Sequence, residues 1–151
     1  MGKRGGREQG FTLVELLIVV IILGILAAVV LPQFVDAGTN AQCRTLEQDL
    51  AIIRKQLELY KLEHMNKYPL VVRFEQQMTQ KTNPDGSTTG TPTLGPYLER
   101  IPNNPFTKGP QANKVSIAPP GPVRAWWFDP TTGEFRANDG GSTDGVPHAS
   151  L

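Results

Sequence analysis

Apolar and polar positions divide the chain into three zones. From Phe11 to Leu31 nearly every residue is apolar, with Thr12, Glu15 and Gly24 as exceptions. A run of that length matches the ~20 residues a helix needs to cross the hydrocarbon core of a bilayer. After Pro32 the pattern thins, and Leu46, Leu50, Ile53, Leu57 and Tyr60 recur at steps of four and three, with His64 continuing the series. That spacing puts one apolar stripe on a helix. Gln48, Asp49, Arg54, Lys55, Glu58 and Lys61 fall between, and Glu58 and Lys61 are spaced to pair at i,i+3 on the exposed side. Asn66-Lys67-Tyr68-Pro69 ends the helix, because a residue before proline disfavours the α region. The stripe is expected to pack on the chain's own sheet; a coiled-coil seam is the alternative, for which it is short.

The third zone is punctuated by Gly, Pro, Thr and Asn. Phe74 to Thr79 reads as a short helical turn, and Lys81 to Gly95 as a loop with a strong turn signal at Asn83-Pro84-Asp85-Gly86. Gly95 to Phe106 is irregular, with Tyr97, Leu98, Ile101 and Phe106 as anchors. Strands are predicted over Lys114–Ile117, Val123–Phe128 and Glu134–Arg136, the last two joined as a hairpin by Asp129 to Gly133. On a strand Trp126 and Phe128 share one face and Trp127 takes the other. One of the two faces packs on the helix; the other offers a subunit contact or a sugar-stacking surface. Residues 138–151 read as a polar, mobile tail.

The predicted fold is therefore α+β: a long N-terminal helix, membrane-spanning in its first half, packed on a small antiparallel β-sheet. Its divisions are a leader over 1–10, a spanning helix over 11–31, an amphipathic helix over 32–67, an αβ loop and sheet over 68–137, and the tail over 138–151.

Composition narrows the function classes. The 151 residues carry a formal net charge of +1 with no basic stripe, which argues against a general nucleic-acid binder. Cys43 is the single cysteine, so no intrachain disulfide forms. No H-E-x-x-H, G-x-S-x-G or P-loop is present and His64 and His148 stand far apart in sequence, so catalysis finds no support. No cofactor is expected. Asn138 to Asp144 offers oxygen ligands, with Asp139 and Asp144 as calcium candidates, but it departs from the EF-hand pattern, and a solvated polar segment is the simpler reading.

Charge matters most at the N-terminus. Lys3, Arg4 and Arg7 against Glu8 precede the apolar run, which predicts a cytoplasmic N-terminus. Glu15 opposes insertion of that run; a charge at a helix centre costs about 2.5–3.5 kcal/mol on the translocon scale. A cleaved secretory signal is a poor fit, since its apolar region spans only ~7–15 residues. A plain uncleaved anchor leaves Glu15 without a reason.

Gly10-Phe11-Thr12-Leu13-Val14-Glu15 resembles the class III signal of type IV pilins and type II secretion pseudopilins. The resemblance implies cleavage between Gly10 and Phe11 by a prepilin peptidase on the cytoplasmic side, then N-methylation of Phe11. It also implies that Glu15 recruits each subunit to a growing filament by meeting a neighbour's Phe11 amine. Opposite charges ~4 Å apart attract by about 4 kcal/mol at an effective dielectric of ~20. That gross gain is comparable with the insertion cost before desolvation is counted. The alternative is a self-pair, of Glu15 with its own Phe11 amine or with the free N–H groups of its own first turn.

Gly24 and Pro32 fall where this family has its helix-weakening residues. A helical glycine costs ~1 kcal/mol relative to alanine, and Pro32 is expected to kink or break the helix. The resemblance implies unwinding of this span in the filament; a tolerated glycine and a kink at the membrane exit is the alternative. A looser similarity links Leu59 to His64, Lys67-Tyr68-Pro69 and Tyr97 to Phe106 to the major, G-type pseudopilins, which often bind calcium in a C-terminal loop. The absence of a C-terminal cysteine pair points the same way. The implied partners are further copies in a homo-oligomeric filament, prepilin peptidase, minor pseudopilins, an assembly platform and the inner membrane, with the C-terminal domain periplasmic. A type IV pilin of an adhesion or motility fibre and a monomeric membrane-anchored binding module are the rival readings.

Overall fold

A computed structural model describes residues 10–118 and 124–151. The leader charges Lys3, Arg4, Arg7 and Glu8, and the predicted strand start at Val123, lie outside the described residues. Helix α1 spans Leu13–Glu63. It continues through Gly24 and Pro32, so the break expected at Pro32 does not occur in the backbone. A proline removes one rung of the hydrogen-bond ladder, and the rungs on either side can carry the helix past it. The chain divides after Gly38 into two compact units.

The second unit, from Thr39, holds the core. Leu46, Leu50, Ile53, Leu57 and Tyr60 of α1 are buried in one cluster with Phe74 and Met78 of α2 (Phe74–Thr79), with Tyr97, Leu98 and Ile101, and with Trp126, Phe128 and Phe135. The stripe thus packs on the chain's own sheet, and the irregular segment after Gly95 seats its predicted anchors. Arg54, which the sequence places on the solvent face, reaches across instead. Its guanidinium donates to the Phe135 carbonyl at 3.0 and 2.9 Å and to the Leu151 carbonyl at 2.8 Å.

The sheet order is β1 (Val115–Ser116), β2 (Trp126–Phe128), β3 (Phe135–Ala137). β2 and β3 form the predicted hairpin, with Trp126 opposite Ala137 and Phe128 opposite Phe135. Asp129 fastens its turn, accepting the Thr131 N–H at 2.8 Å and the Thr132 hydroxyl at 3.0 Å. At Gly133 (φ +81°) an added Cβ would lie 2.0 Å from the Tyr68 ring, so glycine is required there for conformation and space. The sheet is mixed rather than purely antiparallel, because β1 pairs with β2 in parallel. The sequence between them carries Pro119, Pro120 and Pro122, which lack the N–H groups a hairpin ladder needs.

α1 stops at Glu63, short of the Pro69 signal. Met65 and Asn66 take positive φ, 53° and 62°, and the Asn66 N–H returns to the Lys61 carbonyl at 3.0 Å. That is a left-handed closure of the last turn, which satisfies a terminal carbonyl. Glu58 and Lys61 meet through a third group: the Tyr68 hydroxyl donates to Glu58 Oε1 at 2.5 Å and accepts from Lys61 Nζ at 3.1 Å.

Beyond this closure, the Tyr60 and His64 rings stack at 3.6 Å and Tyr97 packs edge-on to both. His64 Nε2 lies 2.9 Å from Thr82 Oγ1, and the Tyr97 hydroxyl donates to Glu63 Oε2 at 2.5 Å. Burial, with the nearby Asp85 carboxylate, pushes the Tyr60 hydroxyl from 10.0 up to about 12. Burial and the bond to Glu63 push Tyr97 up as well. The fold favours the neutral phenols, so their contribution is complete below pH 10.0 and is lost as pH rises towards about 12. Melting temperature is expected to fall through that window, and Tyr60→Phe should flatten the fall. Circular-dichroism melts from neutral to alkaline pH test this.

The C-terminal segment is not a mobile tail. β4 (Ser142–Thr143) and β5 (Val146–Pro147) form a small hairpin, and a 3₁₀ turn follows over His148–Ser150. Asn138 and His148 are buried, and Leu151 packs against the core. Polar residues mislead here because they bond to one another and to the neighbouring loop rather than to water.

Candidate functional site at the head of the long helix

Residues Gly10 to Thr12 precede α1 and are exposed, which leaves the Gly10–Phe11 peptide bond accessible. Thr12 is the residue before the helix, and Glu15 sits in its first turn. Thr12 Oγ1 accepts the Glu15 N–H at 3.2 Å. In return Glu15 Oε2 accepts the Thr12 N–H and the Thr12 hydroxyl, both at 2.8 Å. This is a reciprocal capping box, which satisfies backbone donors that the first turn cannot pair internally. The carboxylate also sits at the positive end of the helix dipole.

Within this single chain Glu15 is engaged by Thr12, at the head of its own helix. Sequence reading missed Thr12, although Thr-x-x-Glu ahead of an apolar run is a readable cap signature.

Every large apolar side chain from Phe11 to Val30 is exposed. Leu13–Val30 is long and apolar enough to cross a membrane. These exposed side chains contrast with the α1 stripe beyond Leu46, which is buried in the core, and so long an apolar stretch calls for an apolar covering. A Cβ added at Gly24 would meet nothing within 4 Å, so no packing within the single chain requires glycine there. The fold brings Gly10, Phe11 and Glu15 together at one helix end and leaves Gly24 and Pro32 further along the same helix.

The calcium candidates are placed differently. The Asp139 side chain is buried and already engaged: Oδ1 accepts the Gly141 N–H at 2.7 Å and meets His148 Nδ1 at 2.9 Å, and Oδ2 accepts from Asn104 Nδ2 at 2.8 Å. Asp144 is exposed on the β4–β5 turn with φ 52°. Among the described residues no three His, Cys, Asp or Glu side chains are grouped to hold a metal ion.

Comparison with known proteins points back to the helix head. The family model described as the prokaryotic N-terminal methylation motif matches residues 5–31. Type II secretion system core protein G of Vibrio cholerae serotype O1 is 32% identical over 105 residues, covering 69% of this chain and 69% of that one. The chain belongs to the type II secretion system core protein G family. Core protein G of Pectobacterium carotovorum subsp. carotovorum is 30% identical over 105 residues, covering 70% of this chain and 66% of its own. That of Dickeya chrysanthemi is 27% identical over 154 residues, covering 93% and 98%. No solved structure matches the chain. Within this chain, the methylation-motif match takes in Gly10, Phe11, Thr12, Glu15 and Gly24 and stops one residue before Pro32.

Proposed function

We propose that the chain is a pseudopilin, a structural subunit of a type II secretion pseudopilus, with a mechanical rather than an enzymatic role. The observation that carries this is a fully exposed apolar helix, Leu13–Val30, whose one carboxylate lies at its head inside a methylation motif. Before assembly, lipid of the inner membrane covers the helix. The leader charges keep its N-terminus cytoplasmic, and the unit from Thr39 is periplasmic. Prepilin peptidase cuts between Gly10 and Phe11 and the new Phe11 amine is N-methylated.

Cleavage creates the cation that the uncleaved chain lacks. In the precursor Glu15 serves as a helix cap, which lowers the cost of carrying it into the membrane. In the filament it turns to the Phe11 amine of a neighbouring copy, exchanging a weak local bond for a charge pair in a poorly solvated setting. The apolar helices then bury one another, with Gly24 and Pro32 as the points where α1 yields. Minor pseudopilins and an assembly platform start and drive growth, and the growing filament pushes exported proteins outwards.

The N-terminal mass of the membrane-extracted protein tests this. A chain beginning at N-methyl-Phe11 is expected. A chain beginning at Met1, or beyond Ala28, overturns the proposal.

A further inference from the structure

We propose that a buried His148–Asp139 pair closes the C-terminal loop of this chain without a divalent cation, in contrast to the calcium that the pseudopilins it resembles often bind there. This goes beyond the assembly role and rests on a different part of the molecule.

The side chains of His148 and Asp139 are 2% and 4% exposed, with Nδ1 and Oδ1 2.9 Å apart. An ionised carboxylate only accepts, so Nδ1 carries the proton. The other ring nitrogen, Nε2, meets Thr143 Oγ1 at 2.9 Å, and the ring lies 4.0 Å from that of Phe106. The His148 backbone N–H donates to the Gly141 carbonyl at 3.0 Å. Imidazole, hairpin and loop are thus fixed by one another.

Gly141 shows that the space is shaped for this ring. An added Cβ would lie 2.9 Å from His148 Nδ1 and Cε1 and 3.0 Å from Asp139 Oδ1. Asn104 extends the lock, since Nδ2 also donates to the Ala125 carbonyl at 3.1 Å and Oδ1 accepts the Phe106 N–H at 2.8 Å. Asp139 therefore ties residues 104, 141 and 148 directly, and Asn104 carries the link on to residue 125.

Calcium does not fit this arrangement. It takes six to eight oxygen ligands. Here the Asp139 oxygens face N–H donors from Gly141, His148 and Asn104. Those donors point positive charge at the carboxylate and occupy the directions a cation would need. An imidazole nitrogen is also a poor ligand for so hard an ion. The N–H groups supply the compensation that a cation would otherwise give to a buried carboxylate.

The test is a metal titration of the full-length chain in detergent. Thermal unfolding is expected to be the same in EDTA and in millimolar calcium chloride. A rise of roughly 5–10 °C with calcium, as a site filled to ~100 times its Kd would give, overturns the proposal. Hydrogen exchange adds a second readout. His148→Ala and Gly141→Ala are each expected to lower protection of the amides over 139–148 by roughly tenfold or more while the α1 core keeps its protection. Calcium is expected to restore neither. Unchanged protection in both variants, or its recovery with calcium, also overturns the proposal. If a variant does not fold, the wild-type titration decides alone.

Discussion

Glu15→Ala is expected to be cut normally between Gly10 and Phe11 and to lose filament assembly. The Gly10–Phe11 bond, where cleavage is proposed, lies outside the helix. Losing the capping carboxylate costs the helix about 0.3–1 kcal/mol, and insertion becomes easier by a few kcal/mol. Neither change obstructs the membrane-bound precursor. Assembly differs because, in the proposed filament, the charge pair recurs at every added subunit. If about 2 kcal/mol of the ~4 kcal/mol gross attraction survives desolvation, removing it weakens each addition roughly thirtyfold.

Two further variants separate the cap from the charge. Glu15→Gln retains an oxygen that accepts from Thr12 but has no charge, and should fail to assemble as Glu15→Ala does. Thr12→Val removes the hydroxyl that bonds Glu15 but leaves the carboxylate, and should assemble. N-terminal mass reports cleavage, and electron microscopy of sheared filaments reports assembly. Normal filaments from Glu15→Ala and Glu15→Gln would sink the charge-pair argument.

Trp126→Ala is expected to destabilise the second unit by about 3–5 kcal/mol, the range for large aromatic side chains removed from a packed core. Its indole is fully buried, 5.4 Å from the Phe135 ring, and Nε1 donates to the Pro102 carbonyl at 2.9 Å. Truncation leaves a cavity and a carbonyl without its donor. Whole domains hold only about 5–15 kcal/mol, so this loss is a large share. Trp127→Ala, one residue on, should cost about 1 kcal/mol. That ring is half-buried, with the Arg136 guanidinium 5.5 Å from it and one bond, to the Ile117 carbonyl at 3.1 Å. Urea unfolding of both variants checks the contrast, with unchanged slopes confirming that midpoints report stability.

These two tryptophans also show where sequence was enough. Alternation along a strand put Trp126 and Phe128 on one face and Trp127 on the other, and the burial follows that division, with the first pair inward. The same holds for the 3.6-residue stripe from Leu46 to Tyr60 and for the turn at Asp129 to Gly133. Periodicity and turn chemistry are local, so one strand of sequence carries them. The cap at Thr12 is equally local, since Thr12 and Glu15 bond across three residues of sequence.

Other features depend on groups brought together from far along the chain. Arg54 looks solvated until Phe135 and Leu151 present their carbonyls to it. Glu58 and Lys61 look like a direct pair until Tyr68 comes between them. Asp139 looks like an open calcium ligand until Asn104, Gly141 and His148 fill its coordination sphere.

By itself the sequence determined the apolar helix, its charged head, the methylation motif and the buried stripe, because each is written in neighbouring residues or in a fixed period. Only the tertiary structure decided what the polar C-terminal residues do, because the worth of a polar group depends on whether water or a distant donor satisfies it.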